Sequence, residues 1–200
     1  MPAPPLILAS ASPIRAELLR RAGLAFTVAT AAVDEAEIKA AFRAEMRDPA
    51  ACAAALAEAK ASRIAQRHPA ALVIGADQML VCDGAWFDKP ESRRAAADQL
   101  RALRGRRHEL VTAACVCRAG QCLWHTVERP SLTMRDFSEA FLTDYLAHGG
   151  DDLLGSVGAY RLEETGIQLF TRIEGDYFAI LGLPLLPLLS FLRGHGVVAQ

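Results

Sequence analysis

Asp77 follows an apolar run, a position at which carboxylates of α/β proteins commonly bind ligands or take part in catalysis. Asp77 belongs to the segment Gly75-Ala-Asp-Gln78, which follows the apolar run at residues 72–74. Such a run predicts a buried strand, and carboxylates at strand ends often point into a ligand crevice. An aspartate there can bind a divalent metal or take a proton from water. The simpler interpretation is an aspartate in a strand-end turn.

A second candidate is the segment Leu8-Ala-Ser-Ala-Ser-Pro-Ile-Arg15, in which an apolar strand gives way to small residues and then to a helix start. Ser12 is expected at the N-cap and Pro13 at the first helical position. A helix N-terminus offers free N–H groups to a phosphate. Arg15 lies in the first turn, where the helix dipole disfavours a cation unless an anion binds beside it. The alternative is an ordinary capped helix with an exposed arginine.

Three further charged residues fit the same chemistry. Lys60 falls on the apolar stripe of its predicted helix, so it either snorkels to the surface or lines a cleft. Lys89 is followed by Pro90, which favours an extended backbone at the lysine. Glu35 ends the segment Val33-Asp-Glu. The alternative is that these two acids only stabilise the N-terminus of the helix that follows.

Two acids, two lysines, one arginine and a helix N-terminus together suit the hydrolysis of a phosphate chain. That reaction needs neutralised phosphate charge, a metal on the phosphate oxygens and an activated water. The sequence has no Walker A loop, no H-E-x-x-H and no G-x-S-x-G motif. P-loop, zincin and α/β-hydrolase chemistry are therefore not expected.

The order of these segments resembles the Maf family of nucleotide pyrophosphatases. The matching segments are Leu8-Ala-Ser-Ala-Ser-Pro-x-Arg15, Val33-Asp-Glu35, Ala57-Glu-Ala-Lys60, Gly75-Ala-Asp-Gln78, Lys89-Pro90, Gly158-Ala-Tyr160 and Gly182-Leu-Pro184. The resemblance implies an α/β fold, with an elongated mixed β-sheet flanked by helices and a central cleft between two lobes. It further implies hydrolysis of a nucleoside triphosphate between the α and β phosphates, with Mg²⁺ or Mn²⁺.

The resemblance also implies roles for individual residues. Asp77 is similar in position to the family's general base, and Glu35 to an acid that holds metal together with it. Catalytic roles are implied for Lys60 and Lys89 as well. The implied phosphate contacts are Ser10, Arg15, Lys60 and Lys89.

Three positions depart from the commonest family pattern and bear on the base of the nucleotide. They are Ile14 in place of an arginine, Gln78 in place of a threonine and Glu163 in place of a glutamine. Gln78 and Glu163 resemble the branch that prefers 7-methyl-GTP, and a carboxylate can accept hydrogen bonds from the N–H edge of guanine. That branch tends to carry an aromatic residue at the position of Ile14. We therefore expect Ile14, Gln78 and Glu163 to contact the substrate.

The hydrophobic pattern predicts strands that alternate with helices and a hairpin in the second half. Together these elements predict one mixed α/β domain over residues 1–200. The predicted strands are Leu6–Ser10, Phe26–Ala29, Ala71–Val81, Glu109–Arg118, Cys122–Thr133 and Gly166–Gly175, with a hairpin turn at Asp83-Gly84. The predicted helices are Pro13–Ala22, Glu37–Glu45, Pro49–Arg67, Glu91–Arg104, Ser138–His148 and Pro184–Arg193.

Composition narrows the class of protein further. The chain has 200 residues, 22% of them charged, and a formal net charge of -1, which gives no support for nucleic-acid binding. No signal peptide and no membrane span are expected, so a cytoplasmic location is predicted. The five cysteines are odd in number and form no C-x-x-C, which argues against a disulfide framework or a zinc knuckle and favours reduced core residues.

The sequence leaves three alternative functions to consider. A dTTP or UTP pyrophosphatase of the same family would differ only in the base. A non-catalytic nucleotide-binding regulator of septum formation would bind without turnover. An inosine triphosphate pyrophosphatase is disfavoured by the Ser-Ala-Ser-Pro segment at residues 10–13. A homodimer agrees with the resemblance, although no dimer face is evident in the sequence.

Overall fold

The computed structural model describes residues 3–199, and the elements below lie within that range. It contains strands on a single sheet, α-helices and three short 3-10 helices. In chain order the strands and α-helices are β1 (Leu6–Leu8), α1 (Pro13–Arg21), β2 (Thr27–Val28), α2 (Glu35–Ala44), α3 (Pro49–Arg67), β3 (Leu72–Cys82), β4 (Ala85–Phe87), α4 (Arg93–Leu103), β5 (Arg107–Arg118), β6 (Gln121–Glu128), β7 (Ser131–Met134), α5 (Glu139–Gly149), β8 (Phe170–Glu174), α6 (Tyr177–Ile180) and α7 (Leu185–Gly194). The 3-10 helices are Gly150–Gly155, Val157–Ala159 and Thr165–Leu169.

The sheet is mixed, as predicted. Its strands follow the order β2-β1-β3-β5-β7-β8, with β4 paired to β3 and β6 paired to β5. Strand β1 runs parallel to β2 and β3, whereas the β3–β4, β5–β6, β5–β7 and β7–β8 pairs are antiparallel. The predicted fold class, an α/β protein with a mixed sheet flanked by helices, is therefore confirmed. None of the helices within residues 3–199 combines the length and apolar character that crossing a membrane requires.

The chain groups into two compact units. The first contains the described residues up to Asp77 together with Thr112–Glu128 and the described residues from Gly182 onward. The second contains Gln78–Val111 and Arg129–Leu181. One unit boundary falls between Asp77 and Gln78 on β3, so the predicted site residues divide between the two units.

Small residues explain how α3 packs in the first unit. Gly75 on β3 passes so close to this helix that a methyl group on it would collide with the Ala57 carbonyl oxygen and stand 2.8 Å from the Ala61 Cβ atom. Ala57 and Ala61 are fully buried, as is Leu56. The alanine-rich composition of α3 thus allows close contact with β3, which fixes Lys60 beside the end of the Gly75-Ala-Asp segment.

The structure corrects two predicted strands. The segment predicted as one strand, Cys122–Thr133, is β6 and β7 with a break near Pro130, because proline has no N–H group for the ladder. Both pieces keep one register along β5, since Thr112 pairs with Glu128 and Glu109 with Ser131. In the second case, the predicted strand Gly166–Gly175 begins with a 3-10 helix and becomes extended only at β8.

Other local predictions agree closely with the structure. Helix α3 spans the predicted residues, and β3 and β4 form a hairpin at Asp83-Gly84. Both turn residues have positive φ angles, 49° and 80°, as a type I′ turn requires. Helix α2 begins at Glu35, two residues before the predicted start, with Asp34 as its N-cap. Glu35 therefore lies in the first turn of a helix.

Candidate active site

Lys60 joins the two acidic residues that the sequence singles out. Its Nζ atom lies 2.6 Å from Asp77 Oδ1 and 2.8 Å from Glu35 Oε1. The Lys60 side chain is 13% exposed and that of Asp77 8%, whereas Glu35 is 46% exposed. Lys60 thus stays on the buried stripe of α3 instead of snorkelling to the surface, because two carboxylates compensate its charge.

Asp77 has one oxygen that the protein leaves available. Its Oδ2 atom is buried and has no hydrogen-bond partner among the described residues, although Oδ1 binds Lys60. A buried carboxylate oxygen without a partner is costly unless a ligand, an ion or water satisfies it. Oδ2 can therefore accept a proton from a water molecule or coordinate a cation.

The donor atoms near Lys60 suit a hard divalent cation. Asp77 and Glu35 both offer carboxylate oxygens, the ligands that Mg²⁺ and Mn²⁺ prefer. Asp77 Oδ2 is already desolvated, and half-exposed Glu35 can turn toward an incoming ion. The residues present therefore fit the metal that the sequence resemblance implies.

Arg15 is held by groups far apart in the sequence. Its Nε atom donates to the carbonyl oxygen of Gly182 at 2.7 Å, and its Nη1 atom donates to the Ala76 carbonyl at 2.9 Å and to Ser10 Oγ at 3.1 Å. Loss of hydration lowers the pKa of Arg15, and the nearby charges of Asp77 and Glu35 oppose that change. The guanidinium stays charged and fixes the backbone next to Asp77.

The start of α1 differs in detail from the prediction. Ser12 occupies the N-cap position, but its side chain makes no capping hydrogen bond. Its backbone N–H donates to Ser10 Oγ at 3.3 Å instead. Ser10 is buried and links this helix start to Arg15, while Ile14 is half-buried in the first turn. Without a side-chain cap, the N-terminus of α1 keeps its capacity for an anion.

Ser10, Arg15, Glu35, Lys60 and Asp77 are thereby brought together in the first unit. The chain of contacts runs from Ser10 through Arg15 to Ala76, the neighbour of Asp77, and from Asp77 through Lys60 to Glu35. This arrangement places two cations, two carboxylates and a helix N-terminus along one path. It can bind phosphate oxygens and activate water in the same place.

Three of the predicted residues, Gln78, Lys89 and Glu163, lie far apart along the chain in the second unit. Gln78 directs its Nε2 atom to the carbonyl oxygens of Ala179 and Ile180, each 3.0 Å away. Lys89 is exposed between β4 and α4. Glu163 forms an ion pair with Arg161, whose Nε atom lies 3.5 Å from Glu163 Oε1. The predicted base contact of Glu163 would compete with this pair.

Sequence reasoning missed a buried polar pair in the second unit. His108 Nε2 lies 2.9 Å from the Tyr160 hydroxyl, and the His108 ring packs against Tyr160 and Phe170. Burial lowers the pKa of His108 to about 4, so the ring is neutral at physiological pH. Tyr160 closes the Gly158-Ala-Tyr segment, but nothing in the sequence pairs it with a histidine 52 positions away.

The segment before Tyr160 has an unusual backbone that composition does not reveal. Gly158 and Ala159 have φ angles of 78° and 56°, and positive φ is rare for alanine. The Tyr145 hydroxyl donates to the Ala159 carbonyl at 3.2 Å and helps to hold this conformation. The alanine gives no sign of this turn in sequence, although the glycine before it does.

Proteins of similar sequence are known from several bacteria. The chain is 57% identical over 190 residues to a nucleoside triphosphate pyrophosphatase of Granulibacter bethesdensis, covering 95% of this chain and 96% of that protein. It is 55% identical over 190 residues to the protein of that name in Paramagnetospirillum magneticum, covering 95% and 98%. It is 49% identical over 195 residues to a 7-methyl-GTP pyrophosphatase of Rhizobium meliloti, covering 98% of both chains.

A family profile agrees with these relatives. The profile described as Maf-like protein matches residues 5–195, a range that contains every candidate residue of the site. Ser10, Arg15, Glu35, Lys60 and Asp77 occupy the segments on which the sequence resemblance rests, and they lie together in one unit. The chain is a member of the Maf-like protein family.

Proposed function

We propose that this protein hydrolyses a nucleoside triphosphate to the monophosphate and pyrophosphate. The observation that carries the proposal is Asp77, whose Oδ1 is held by Lys60 while its buried Oδ2 has no partner among the described residues. The names of the relatives with 57% and 55% identity support the same reaction. In chemical class the protein is then a hydrolase of acid anhydrides.

Each residue of the site can take a different role in that reaction. Asp77 Oδ2 takes a proton from water as the water oxygen attacks the α-phosphorus, and the bond to the oxygen bridging α and β phosphorus breaks. Pyrophosphate leaves with the bridging oxygen. Lys60 fixes Asp77 and supplies positive charge, while the start of α1 with Ser10 and Arg15 binds phosphate oxygens. The sequence resemblance implies Lys89 as a further cation for the phosphate chain.

A divalent cation, Mg²⁺ or Mn²⁺, completes the proposal. Glu35 and Asp77 would hold it through their carboxylate oxygens. When bound, the ion withdraws negative charge from the phosphate oxygens, which makes attack at phosphorus easier. The unpartnered Asp77 Oδ2 and the exposed half of Glu35 support this assignment.

For the substrate, we propose 7-methyl-GTP. The relative of that name from Rhizobium meliloti is 49% identical over nearly the whole chain. The sequence resemblance implies that Gln78 contacts the base, and its Nε2 atom already donates to the Ala179 and Ile180 carbonyls. Glu163 offers a carboxylate that could turn from Arg161 to a guanine edge. Ile14 would give the base an apolar contact at the start of α1. A nucleotide substrate and five cysteines that form no disulfide also support a cytoplasmic location.

The variant Asp77→Asn tests the reaction and its base. It keeps the shape of the side chain but removes the proton acceptor, so we expect kcat for pyrophosphate release to fall by about 100-fold or more. The matched control is Asp136→Asn, which changes an aspartate whose side chain is 90% exposed and should leave kcat unchanged. Near-normal turnover of Asp77→Asn with Mg²⁺ or Mn²⁺ would show that the proposed mechanism is wrong.

A panel of substrates tests the base. Rates of pyrophosphate release from 7-methyl-GTP, GTP, UTP and dTTP should be compared with the same enzyme preparation. We expect the highest kcat/KM for 7-methyl-GTP. A preference for UTP or dTTP would reject the guanine-type assignment, and binding without any turnover across the panel would reject the enzyme itself.

A further inference from the structure

Three of the five cysteines meet at one place in the first unit. The sulfur atoms of Cys115, Cys117 and Cys122 all lie within 4.8 Å of one another. Each of the three is a free thiol. Cys115 and Cys117 are buried, with 2% and 0% exposure, and Cys122 is half-buried. None of these residues belongs to the candidate active site.

A β-bulge creates this cluster. Cys115 and Cys117 alternate along β5 and therefore share one face of the sheet. From Thr112 to Val116 the partner residues on β6 follow a regular register, but the register shifts by one between Val116 and Cys117. The shift places Cys122 directly opposite Cys117. Without it, Cys122 would lie opposite Arg118 and its side chain would point to the other face.

The surroundings of the cluster come from α3 and β3. Ser62 Oγ lies 3.7 Å from Cys117 Sγ, and the Gly75 backbone forms a hydrogen bond with the Cys115 sulfur. Glu58 is close enough to interact electrostatically with the Cys117 and Cys122 sulfurs. The three thiols are thus enclosed on one side by the helix that also carries Lys60.

We propose that Cys115, Cys117 and Cys122 form a binding site for Zn²⁺. Zinc–sulfur bonds of about 2.3 Å in tetrahedral geometry place sulfur atoms about 3.8 Å apart. The observed spacing reaches that value with shifts of about 1 Å, within what side-chain rotation about χ1 allows. Soft thiolates favour this ion over Mg²⁺, so the cluster and the carboxylates of the candidate active site would select different metals.

Charge favours a divalent ion at this place. On coordination the three thiols lose their protons to the solvent, and three thiolates with Zn²⁺ leave one net negative charge. Glu58 adds negative charge nearby, which makes thiolates without a metal unfavourable but attracts a cation. A water molecule or the Glu58 carboxylate can complete the tetrahedron.

Zinc titration of the full chain tests the site. The protein should have any affinity tag removed and its thiols reduced, with Mg²⁺ in excess so that carboxylate sites are occupied. Competition with a chromophoric zinc indicator should give one Zn²⁺ per chain. We expect Cys122→Ser to weaken zinc binding by at least about tenfold, the smaller end of what losing a supporting group costs at metal sites.

Cys52→Ala is the matched control for that variant. Cys52 is fully buried on α3 in the same unit, but it is not among the three clustered thiols. The zinc affinity of the Cys52→Ala protein should equal that of the unaltered chain. The proposal would be overturned if Cys122→Ser bound zinc as tightly as the unaltered chain. It would also be overturned if Cys52→Ala lost as much zinc affinity as Cys122→Ser.

Cobalt provides a second measurement, and its decisive result comes from the unaltered chain. Co²⁺ bound by thiolates shows intense sulfur-to-metal charge-transfer absorption, which carboxylate ligands do not give. The unaltered chain should show this absorption, and Asp77→Asn should keep it because Asp77 is not a ligand of the cluster. Absence of the band in the fully reduced, unaltered chain would refute the site.

Discussion

At the scale of single residues, the candidate site depends on one buried ammonium group. Lys60 lies within 2.8 Å of carboxylate oxygens from both Glu35 and Asp77, and little of its side chain reaches solvent. A buried charge is tolerated only when partners compensate it, and each partner then depends on the others. Lys60 therefore keeps two acids close together that would otherwise repel each other.

This dependence predicts non-additive effects on stability. Lys60→Met should lower the free energy of unfolding by about 2 kcal/mol, because Asp77 and Glu35 lose their shared counter-charge. Adding Glu35→Gln should restore part of that loss by removing the repulsion. Urea unfolding of the two single variants and the double variant measures the coupling. Arg67→Met, which changes an exposed cation at the end of α3, is the control. Strictly additive losses would contradict the prediction.

At the scale of elements, the close packing of α3 on β3 positions the site. Gly75 allows the approach because any side chain there would meet the Ala57 carbonyl and the Ala61 methyl group. The contact fixes the helix that carries Lys60 against the strand that carries Asp77. Arg15 then connects the start of α1 to the end of that strand segment and to Gly182.

Gly75→Ala should disturb both stability and catalysis. The new methyl group forces α3 away from β3, and overpacking of this kind costs about 1–3 kcal/mol or more. Lys60 would move with the helix, so kcat should fall as well as the melting temperature. Gly155→Ala is the control, because a methyl group there would meet no atom within 4 Å. A Gly75→Ala protein with unchanged melting temperature would show that the packing argument is wrong.

At the scale of the whole molecule, a buried histidine links stability to pH. His108 is 1% exposed, and burial holds its pKa at about 4, below the ordinary value of 6.5. Between these two values the unfolded chain binds a proton at this residue that the folded chain does not bind. The free energy of unfolding therefore decreases as the pH falls from 6.5 to 4, and the full contribution is present above pH 6.5.

His108→Gln should remove that pH dependence. Between the two pKa values, His108 can change the free energy of unfolding by at most on the order of 3 kcal/mol. Chemical unfolding at a series of pH values should give a flatter slope for His108→Gln than for the unaltered chain. His125→Gln changes an exposed histidine and should leave the slope unchanged. The same slope in all three proteins would rule out His108 as its source.

Several features of this molecule follow from local sequence. Helix α3 begins at a proline after an aspartate cap, and the β3–β4 turn is Asp83-Gly84, so short-range preferences decide both. The alternation of apolar strands with helices predicts the mixed sheet. The charged residues of the site could also be chosen by their place next to apolar runs and helix starts, and by their resemblance to a known family. The predicted strand end at Asp77 was wrong, however, because β3 continues through this residue to Cys82.

Only the tertiary structure decided how those residues are partnered. Whether Lys60 snorkels or pairs with acids depends on Glu35 and Asp77, which approach it through the packing of α2, α3 and β3. Arg15 meets Gly182 across 167 positions, and a one-residue bulge brings Cys122 opposite Cys117. The sequence by itself determined the elements and the types of chemistry, because these arise from short-range preferences. Contacts between distant segments follow from the free energy of the whole packed chain, so their partners were settled only on folding.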